Sequence, residues 1–175
     1  MAMSKLEKID VAGRYWEEDR DVRTSLGALM HAAKDQGEQA AVDELAAYMA
    51  AWAQTLDIGD QSVIVGVPSS PDRSGHVVSA IAGSVANGLG IELADQTLTR
   101  TTSTPRLRDL DPNERRAAAV AGGYIVEAVV AGREVVLVDD VILTGTTLSY
   151  LAELIFDAGA TSVRALVATR ARRRD

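Results

Sequence analysis

The sequence contains no cysteine and only two histidines. The lack of cysteine excludes disulfide bonds, thiolate zinc sites and a thiol nucleophile, and two histidines are too few for a His-rich metal site. No apolar run approaches the ~20 residues that a membrane-spanning helix needs, and charged residues occupy the N-terminus where a signal peptide has its apolar stretch. We therefore expect a cytoplasmic protein that makes no contact with a membrane.

Basic residues are outnumbered by acidic ones, 18 against 25, which gives a net charge of −7. This balance argues against broad nucleic-acid binding, because that kind of binding neutralises phosphates with lysine and arginine. It does not exclude a local basic site, since four arginines lie within the last six residues, 170–175. They form either a solvated chain end or a local contact for an anion or a nucleic acid.

Hydrophobic residues make up 47% of the 175 positions, enough to bury the core of one domain. Apolar residues at helical spacing predict helices at 21–34, 38–56, 77–89 and 146–158. Short runs rich in β-branched residues predict buried strands at 62–67, 124–130, 134–138 and 162–168. Because strands and helices alternate, we predict an α/β fold with three layers, in which a mostly parallel sheet carries helices on both faces.

We expect a single domain over 1–175 that has two parts. The first part, 1–58, is predicted to be helical, and the second part, 59–170, is predicted to hold the sheet core. The second part includes a polar stretch at about 100–116, which contains Pro105 and Pro112 and shows neither helical nor strand periodicity. Loops of this length are usually functional or mobile, so we predict a flexible loop there.

The most informative segment is VVLVDDVILTGTT, residues 135–147. It combines a buried strand, two adjacent carboxylates at the predicted strand end, a loop of glycine and threonine, and the start of a helix. In an open parallel sheet, ligands bind beyond the carboxyl ends of the strands, where this pair would lie. The carboxylates suit a sugar diol, and the helix N-terminus with its threonine hydroxyls suits a phosphate. The simpler interpretation is a strand end followed by a threonine helix cap.

The same segment resembles the signature of the type I phosphoribosyltransferases, in which four apolar residues, two acids, two apolar residues and a Thr/Gly loop follow in order. The resemblance implies that Asp139 and Asp140 bind the ribose hydroxyls in catalysis, with Mg²⁺ held by them directly or indirectly. It assigns the 5-phosphate of the donor to the loop residues Thr144, Gly145, Thr146 and Thr147. Leu143 departs from the family, which usually has a small or hydroxylated residue there.

Two further regions correspond to this family by position. The segment after strand 62–67 corresponds to the pyrophosphate loop, and the donors available there are Ser69, Ser70 and Arg73. An ordinary Pro-Ser turn is the alternative for that segment. The polar stretch corresponds to the loop that closes over the leaving group, and the resemblance implies Arg100 and Arg106 as its catalytic arginines. The alternative for these arginines is simple solvation.

A narrower resemblance, to ComF-like phosphoribosyltransferase domains, covers most of the chain. The segments that carry it, together with the signature, are 22–37, 63–73 and 100–126. Lys34 lies where that group has a lysine ahead of a glycine-containing connection between helices. The N-terminal zinc ribbon of the group is missing because there is no cysteine, and Arg106 and Ala119 replace a common Gln and Asn.

The resemblance implies a Mg²⁺-dependent enzyme that transfers phosphoribosyl from phosphoribosyl pyrophosphate to a nitrogenous acceptor and releases pyrophosphate. It also implies a homodimer. Two alternatives stay open. One is a non-catalytic protein that senses phosphoribosyl pyrophosphate or a nucleotide. The other is a DNA-uptake accessory protein of the ComF type, which would use the C-terminal arginines.

Overall fold

A computed structural model describes residues 5–18, 21–69, 76–94, 97–101 and 123–172. The strands in this part of the chain are β1 (Leu6–Arg14), β2 (Ser62–Gly66), β3 (Glu92–Leu93), β4 (Leu98–Arg100), β5 (Tyr124–Val126), β6 (Glu134–Ile142) and β7 (Ser162–Arg170). The helices are α1 (Ser25–His31), α2 (Gln39–Ala53), α3 (His76–Leu89) and α4 (Thr146–Asp157), with a π-helical turn at Ala32–Gln36 and a 3₁₀ turn at Ala128–Val130. Within the described residues, every helix is too short or too polar to pass through a membrane.

Five strands form one fully parallel sheet in the order β1-β7-β6-β2-β3. Side chains along a strand alternate between its two faces. On β6, Val135 and Leu137 belong to the core cluster that includes α4, whereas Val136 and Val138 belong to the cluster formed with α1, α2 and α3. The prediction of a three-layer α/β fold with helices on both faces of a mostly parallel sheet is confirmed.

The first strand corrects the prediction of a helical part at 1–58, because it shows that this part begins with a strand. Leu6–Arg14 forms β1, which pairs in parallel with β7 along one edge of the sheet. The charged residues of this segment interrupt the apolar pattern that predicts a strand, and in the structure two cations pair with Asp10. The Lys8 Nζ and Arg164 Nε atoms lie 2.9 and 2.7 Å from the two carboxylate oxygens of Asp10. Helices occupy this part only from α1 onwards.

A glycine contact brings the start of α1 against the end of β1. Thr24 caps the helix, since the Gly27 N–H donates a hydrogen bond of 2.9 Å to its Oγ1 atom. A Cβ atom at Gly27 would lie 1.9 Å from the carbonyl oxygen of Tyr15, so only glycine allows this approach. Gly37, with φ of +71°, ends the π-helical turn that follows α1. These two glycines fix how α1 and the turn lie over the sheet.

The region before β6 differs from the prediction of a strand at 124–130. β5 ends at Val126 and pairs antiparallel with β4, so the two form a separate small sheet. The apolar residues that follow form the 3₁₀ turn, whose last residue, Val130, is fully buried. β6 and β7 are longer than predicted and extend to Ile142 and Arg170 because they pair with each other up to those residues.

Candidate active site

The two aspartates of the signature segment lie inside β6, whereas the sequence predicted them at the end of the strand. β6 continues past them because β7 pairs with Asp139 through Val167 and with Val141 through Thr169. Neighbouring residues of a strand point to opposite faces. Asp140 turns toward the α1–α3 layer, where it pairs with Lys34, and the charge of Asp139 acts on Tyr124 on the α4 side of the sheet. The two side chains also lie close enough to share a hydrogen bond, so the two carboxyl groups form one acid pair.

Asp140 is buried and forms an ion pair with Lys34 of the π-helical turn. The Asp140 side chain is 9% exposed, and the Lys34 side chain is 43% exposed. Burial lowers the pKa of Lys34, but the charge and hydrogen bond of Asp140, with the charges of Asp139 and Asp35, outweigh it and raise that pKa. The position of Lys34 in the sequence does not predict this partner, because no local pattern relates it to β6.

Asp139 has the most strongly perturbed carboxyl group among the described residues. Burial is the main cause that raises the pKa of Asp139 to about 7, and the neighbouring charge of Asp140 adds to it. The charge of Lys34 and the hydrogen bond that the Asp140 N–H donates to Asp139 Oδ1, at 2.9 Å, both oppose this rise. The acid pair therefore binds a proton near neutral pH more readily than two separate aspartates would.

The glycine–threonine loop places a helix N-terminus beside the acids. Gly145 takes the N-cap position of α4 with φ of +81°, which glycine adopts without strain. The Thr144 and Thr146 hydroxyls bond each other at 3.0 Å, and within the described residues no side chain caps this helix. The simpler interpretation of a threonine cap is therefore wrong. The first N–H groups of α4 point out of the helix, an arrangement that favours an anion.

Arg100 and two tyrosines lie on the Asp139 face of the sheet. The guanidinium carbon of Arg100 is 5.5 Å from the centre of the Tyr124 ring, and that ring meets Tyr150 of α4 edge-on at 6.4 Å. Burial is the main cause that raises the pKa of Tyr124; the charge of Arg100 opposes it and the charge of Asp139 adds to it. The predicted arginine thus lies over the Tyr124 ring, whose pKa responds to both Arg100 and Asp139, and neither tyrosine was among the predicted site residues.

The predicted pyrophosphate loop begins next to the acid pair. The Val67 N–H, just after β2, donates a hydrogen bond of 2.8 Å to the carbonyl oxygen of Val138. Ser69 follows two residues later and is partly buried. The remaining predicted residues of this loop and of the closing loop, Ser70, Arg73 and Arg106, lie outside the described residues.

The C-terminal arginines lie partly outside the described residues as well. Arg172 donates a hydrogen bond of 2.8 Å to the carbonyl oxygen of Glu18, and its Nη2 atom lies 3.6 Å from Asp21. Arg173 and Arg174 are not among the described residues. A nucleic-acid contact at this end of the chain stays a prediction.

The model of the phosphoribosyl transferase domain family matches residues 38–175. The chain belongs to this family. The matched range includes the acid pair, the glycine–threonine loop and the whole sheet except β1. The predicted relation to the type I phosphoribosyltransferases is confirmed, whereas the ComF-like subtype stays a prediction.

Two solved structures resemble the chain over most of its length. The glutamine phosphoribosylpyrophosphate amidotransferase of B. subtilis, in complex with ADP and GMP, is 25% identical with a TM-score of 0.50, over 72% of this chain and 26% of that one. A hypoxanthine phosphoribosyltransferase of Staphylococcus aureus is 15% identical with a TM-score of 0.48. The match covers 77% of this chain and 67% of that one. The chain thus spans about a quarter of the amidotransferase. The search among curated proteins found no match.

The acid pair of this phosphoribosyl transferase domain fits a Mg²⁺ ion that shares its ligands with a substrate. Mg²⁺ sites in proteins often use one or two carboxylates together with substrate phosphates. Asp139 and Asp140 supply two carboxylates, and the described residues contain no cluster of three or more acidic, histidine or cysteine side chains. These two carboxylates therefore suit a Mg²⁺ ion whose coordination shell also includes the phosphate oxygens of a substrate, rather than an ion coordinated by protein side chains alone.

Proposed function

We propose that this domain binds phosphoribosyl pyrophosphate, transfers its phosphoribosyl group to a nitrogenous acceptor and releases pyrophosphate in a Mg²⁺-dependent reaction. One observation carries the proposal: the acid pair of β6 and the uncapped N-terminus of α4 are joined by a single short loop. A ribose phosphate bears a diol and a phosphate on one ring, so it can engage both groups at once. Membership of the phosphoribosyl transferase domain family supports the same substrate.

In this proposal the signature segment binds the sugar phosphate. Asp139 and Asp140 accept hydrogen bonds from the ribose hydroxyls. The 5-phosphate lies against the start of α4, where backbone N–H groups and the hydroxyls of the threonines neutralise it. The residues that take part are Thr144, Gly145, Thr146 and Thr147. The positive φ of Gly145 lets the backbone approach the phosphate closely.

The remaining predicted residues act on the leaving group. Pyrophosphate is bound after β2 by Ser69, Ser70 and Arg73, and it is covered by Arg100, which ends β4, and by Arg106 of the predicted closing loop. When bound, Mg²⁺ neutralises part of the pyrophosphate charge. The bond between C1 and the pyrophosphate oxygen breaks, pyrophosphate leaves with the electron pair, and the acceptor nitrogen bonds to C1. Because positive charge develops on the ribose, positioning and electrostatic stabilisation account for catalysis, and no covalent nucleophile is needed.

The test follows thermal stability and pyrophosphate release in the same titration. Phosphoribosyl pyrophosphate is added with and without MgCl₂, and a panel of purine, pyrimidine and simple amine acceptors is then supplied. A ligand at a hundredfold excess over its dissociation constant stabilises a protein by about 2.7 kcal/mol. We expect stabilisation and, with one acceptor class, pyrophosphate release. Stabilisation without release would favour the sensing alternative, and no stabilisation would contradict the proposal.

A matched pair of double variants tests whether the acid pair is the sugar site. Asp139→Asn with Asp140→Asn is expected to abolish the stabilisation by phosphoribosyl pyrophosphate while the protein stays folded. The control is Asp43→Asn with Glu44→Gln, which removes two adjacent acids from the exposed surface of α2. The control is expected to bind like the wild type. Normal binding by the first variant would show that the acid pair has no part in binding.

The predicted homodimer is tested separately from the chemistry. Light scattering coupled to size-exclusion chromatography measures the mass of the particle against the chain mass of 18.6 kDa. We expect twice the chain mass. A particle of one chain mass would contradict the homodimer and leave the proposed reaction untouched.

A further inference from the structure

We propose that Lys34 is a positioning residue of this site, which fixes the carboxylate of Asp140 so that it meets a ribose hydroxyl in a defined orientation. The inference rests on the proposed function, because it takes the ribose of the proposed substrate as the group that Asp140 binds. It adds to the site a residue of the helical layer that is remote in sequence from β6.

The backbone around Lys34 is anchored on both sides. Lys34 lies in the middle of the π-helical turn that follows α1, a rare geometry that recurs at functional sites. Its neighbour Ala33 is fully buried in the core cluster beneath the sheet. Across the turn, His31 Nδ1 lies 2.7 Å from a carboxylate oxygen of Asp35. The ammonium group therefore reaches Asp140 from a fixed main chain.

Each polar group of Asp140 has a defined neighbour. Its N–H donates to Asp139 Oδ1 at 2.9 Å, its carbonyl oxygen accepts from Thr169 Oγ1 at 3.3 Å, and its Oδ2 atom pairs with Lys34 Nζ. Strand pairing thus fixes the main chain, and Lys34 fixes the side chain. The Lys34 side chain is 43% exposed and the Asp140 side chain 9% exposed, so the pair lies at the surface on its Lys34 side and is buried on its Asp140 side.

The pairing leaves acceptor capacity on Asp140 for a ligand. Two adjacent carboxylates at a crowded strand edge repel each other, and the cation of Lys34 offsets that repulsion. A carboxylate offers about four lone-pair sites over its two oxygens, and one ammonium group on Oδ2 uses only part of them. The Asp139 side chain shares a hydrogen bond with this carboxylate as well, so Lys34 and Asp139 together occupy two of the sites and leave the others to accept from a hydroxyl.

The experiment measures binding of ribose 5-phosphate and of inorganic pyrophosphate, each with MgCl₂, by titration calorimetry. The variants are Lys34→Met, Lys34→Arg, Asp140→Asn and the double variant Lys34→Met with Asp140→Asn. Lys8→Met is the matched control, because Lys8 also pairs with an aspartate, 2.9 Å away on β1. Thermal stability of every variant is recorded alongside.

We expect Lys34→Met to weaken ribose 5-phosphate binding about tenfold and Lys34→Arg to weaken it less. Pyrophosphate binding is expected to stay unchanged, because Lys34 acts through Asp140 on the sugar. The double variant is expected to bind no worse than Asp140→Asn alone, since the two changes remove one interaction. Lys8→Met is expected to bind both ligands like the wild type.

Three results would overturn the inference. If Lys34→Met binds ribose 5-phosphate like the wild type, Lys34 does not position Asp140 and the proposed function still stands. If Lys34→Met loses pyrophosphate affinity to the same extent, Lys34 contacts the ligand directly. If the wild type binds neither ribose 5-phosphate nor phosphoribosyl pyrophosphate, the proposed function fails and the inference fails with it.

Discussion

Replacing Asp139 by asparagine is expected to stabilise the ligand-free protein at alkaline pH and to weaken ligand binding at the same time. Burial and the charge of Asp140 raise the pKa of Asp139 from 3.8 to about 7. The folded protein thus holds the proton of Asp139 more tightly than the unfolded chain does. Its stability therefore falls as the pH rises from 3.8, the pKa in the unfolded chain, to about 7, the pKa in the folded protein. The Asn side chain has no charge to desolvate, yet its oxygen can still accept the hydrogen bond from the Asp140 N–H.

The size of this effect follows from the pKa shift. If the whole rise of the Asp139 pKa from 3.8 to about 7 acted on the free energy of unfolding, it would lower that free energy by about 4 kcal/mol above pH 7. Because Asp139 is only partly buried and shares its charge with Asp140 and Lys34, we expect roughly 1–3 kcal/mol of stabilisation by Asp139→Asn at pH 8. In a domain of this size, each kcal/mol raises Tm by about 2–4 °C. Below pH 3.8 the difference from the wild type is expected to vanish.

Calorimetric melting of the ligand-free protein from about pH 2.5 to pH 8 measures this prediction, because that range extends below the ordinary aspartate pKa of 3.8. Asp10→Asn is the control of opposite sign: burial raises the pKa of Asp10, but Lys8 and Arg164 outweigh it and lower that pKa. This control is expected to lower Tm at pH 8, with a deficit that shrinks as pH falls below 3.8. A Tm gain by Asp139→Asn that does not grow with pH, or a loss at pH 8, would refute the reasoning.

Three further substitutions test the backbone and the sheet edge. Gly27→Ala is expected to lower the free energy of unfolding by roughly 2–4 kcal/mol, because the new Cβ overlaps the carbonyl oxygen of Tyr15. Gly83→Ala in α3 is the control: its Cβ points into open space, so we expect the free energy of unfolding to rise by about 0.5–1 kcal/mol. Urea denaturation measures both, and equal effects would contradict the prediction. Gly145→Ala, at φ of +81°, is expected to cost about 1–2 kcal/mol and to weaken phosphate binding in calorimetry; unchanged affinity would contradict it. Arg164→Met is expected to cost about 1–3 kcal/mol in thermal melting, clearly more than Arg133→Met in an exposed ion pair.

The sequence was sufficient to predict the centre of the sheet and the layout of the signature segment. The apolar run of β6, the acids and the glycine before α4 are all local signals, since hydrophobic periodicity and helix-start chemistry act within a few residues. The position of the acids was predicted less well. Asp139 and Asp140 lie inside the strand because β7 pairs with β6 as far as Ile142, and strand pairing of that extent is not encoded locally.

Two features could not be predicted because they depend on distant partners. β1 mixes charged and apolar residues with neither a regular alternation nor a buried run, and its pairing with β7 and the contact of Asp10 with Arg164 stabilise it as a strand. The pairing of Lys34 with Asp140 depends on a π-helical turn, for which sequence patterns give no signal. Both are tertiary contacts that override local preference.

The pairing of β1 with β7 also constrains how the chain acquires its fold during synthesis. Leu6 lies opposite Val163 and Arg14 opposite Arg170, so β1 leaves the ribosome long before the strand it pairs with has been made. At about 5–20 residues per second, this wait lasts on the order of ten seconds. A strand that stays unpaired for this time can associate with strands of other chains, and charged side chains on the strand disfavour such association. We expect the Lys8 and Asp10 charges, which interrupt the apolar pattern of β1 in the sequence, to disfavour that association until β7 has been made.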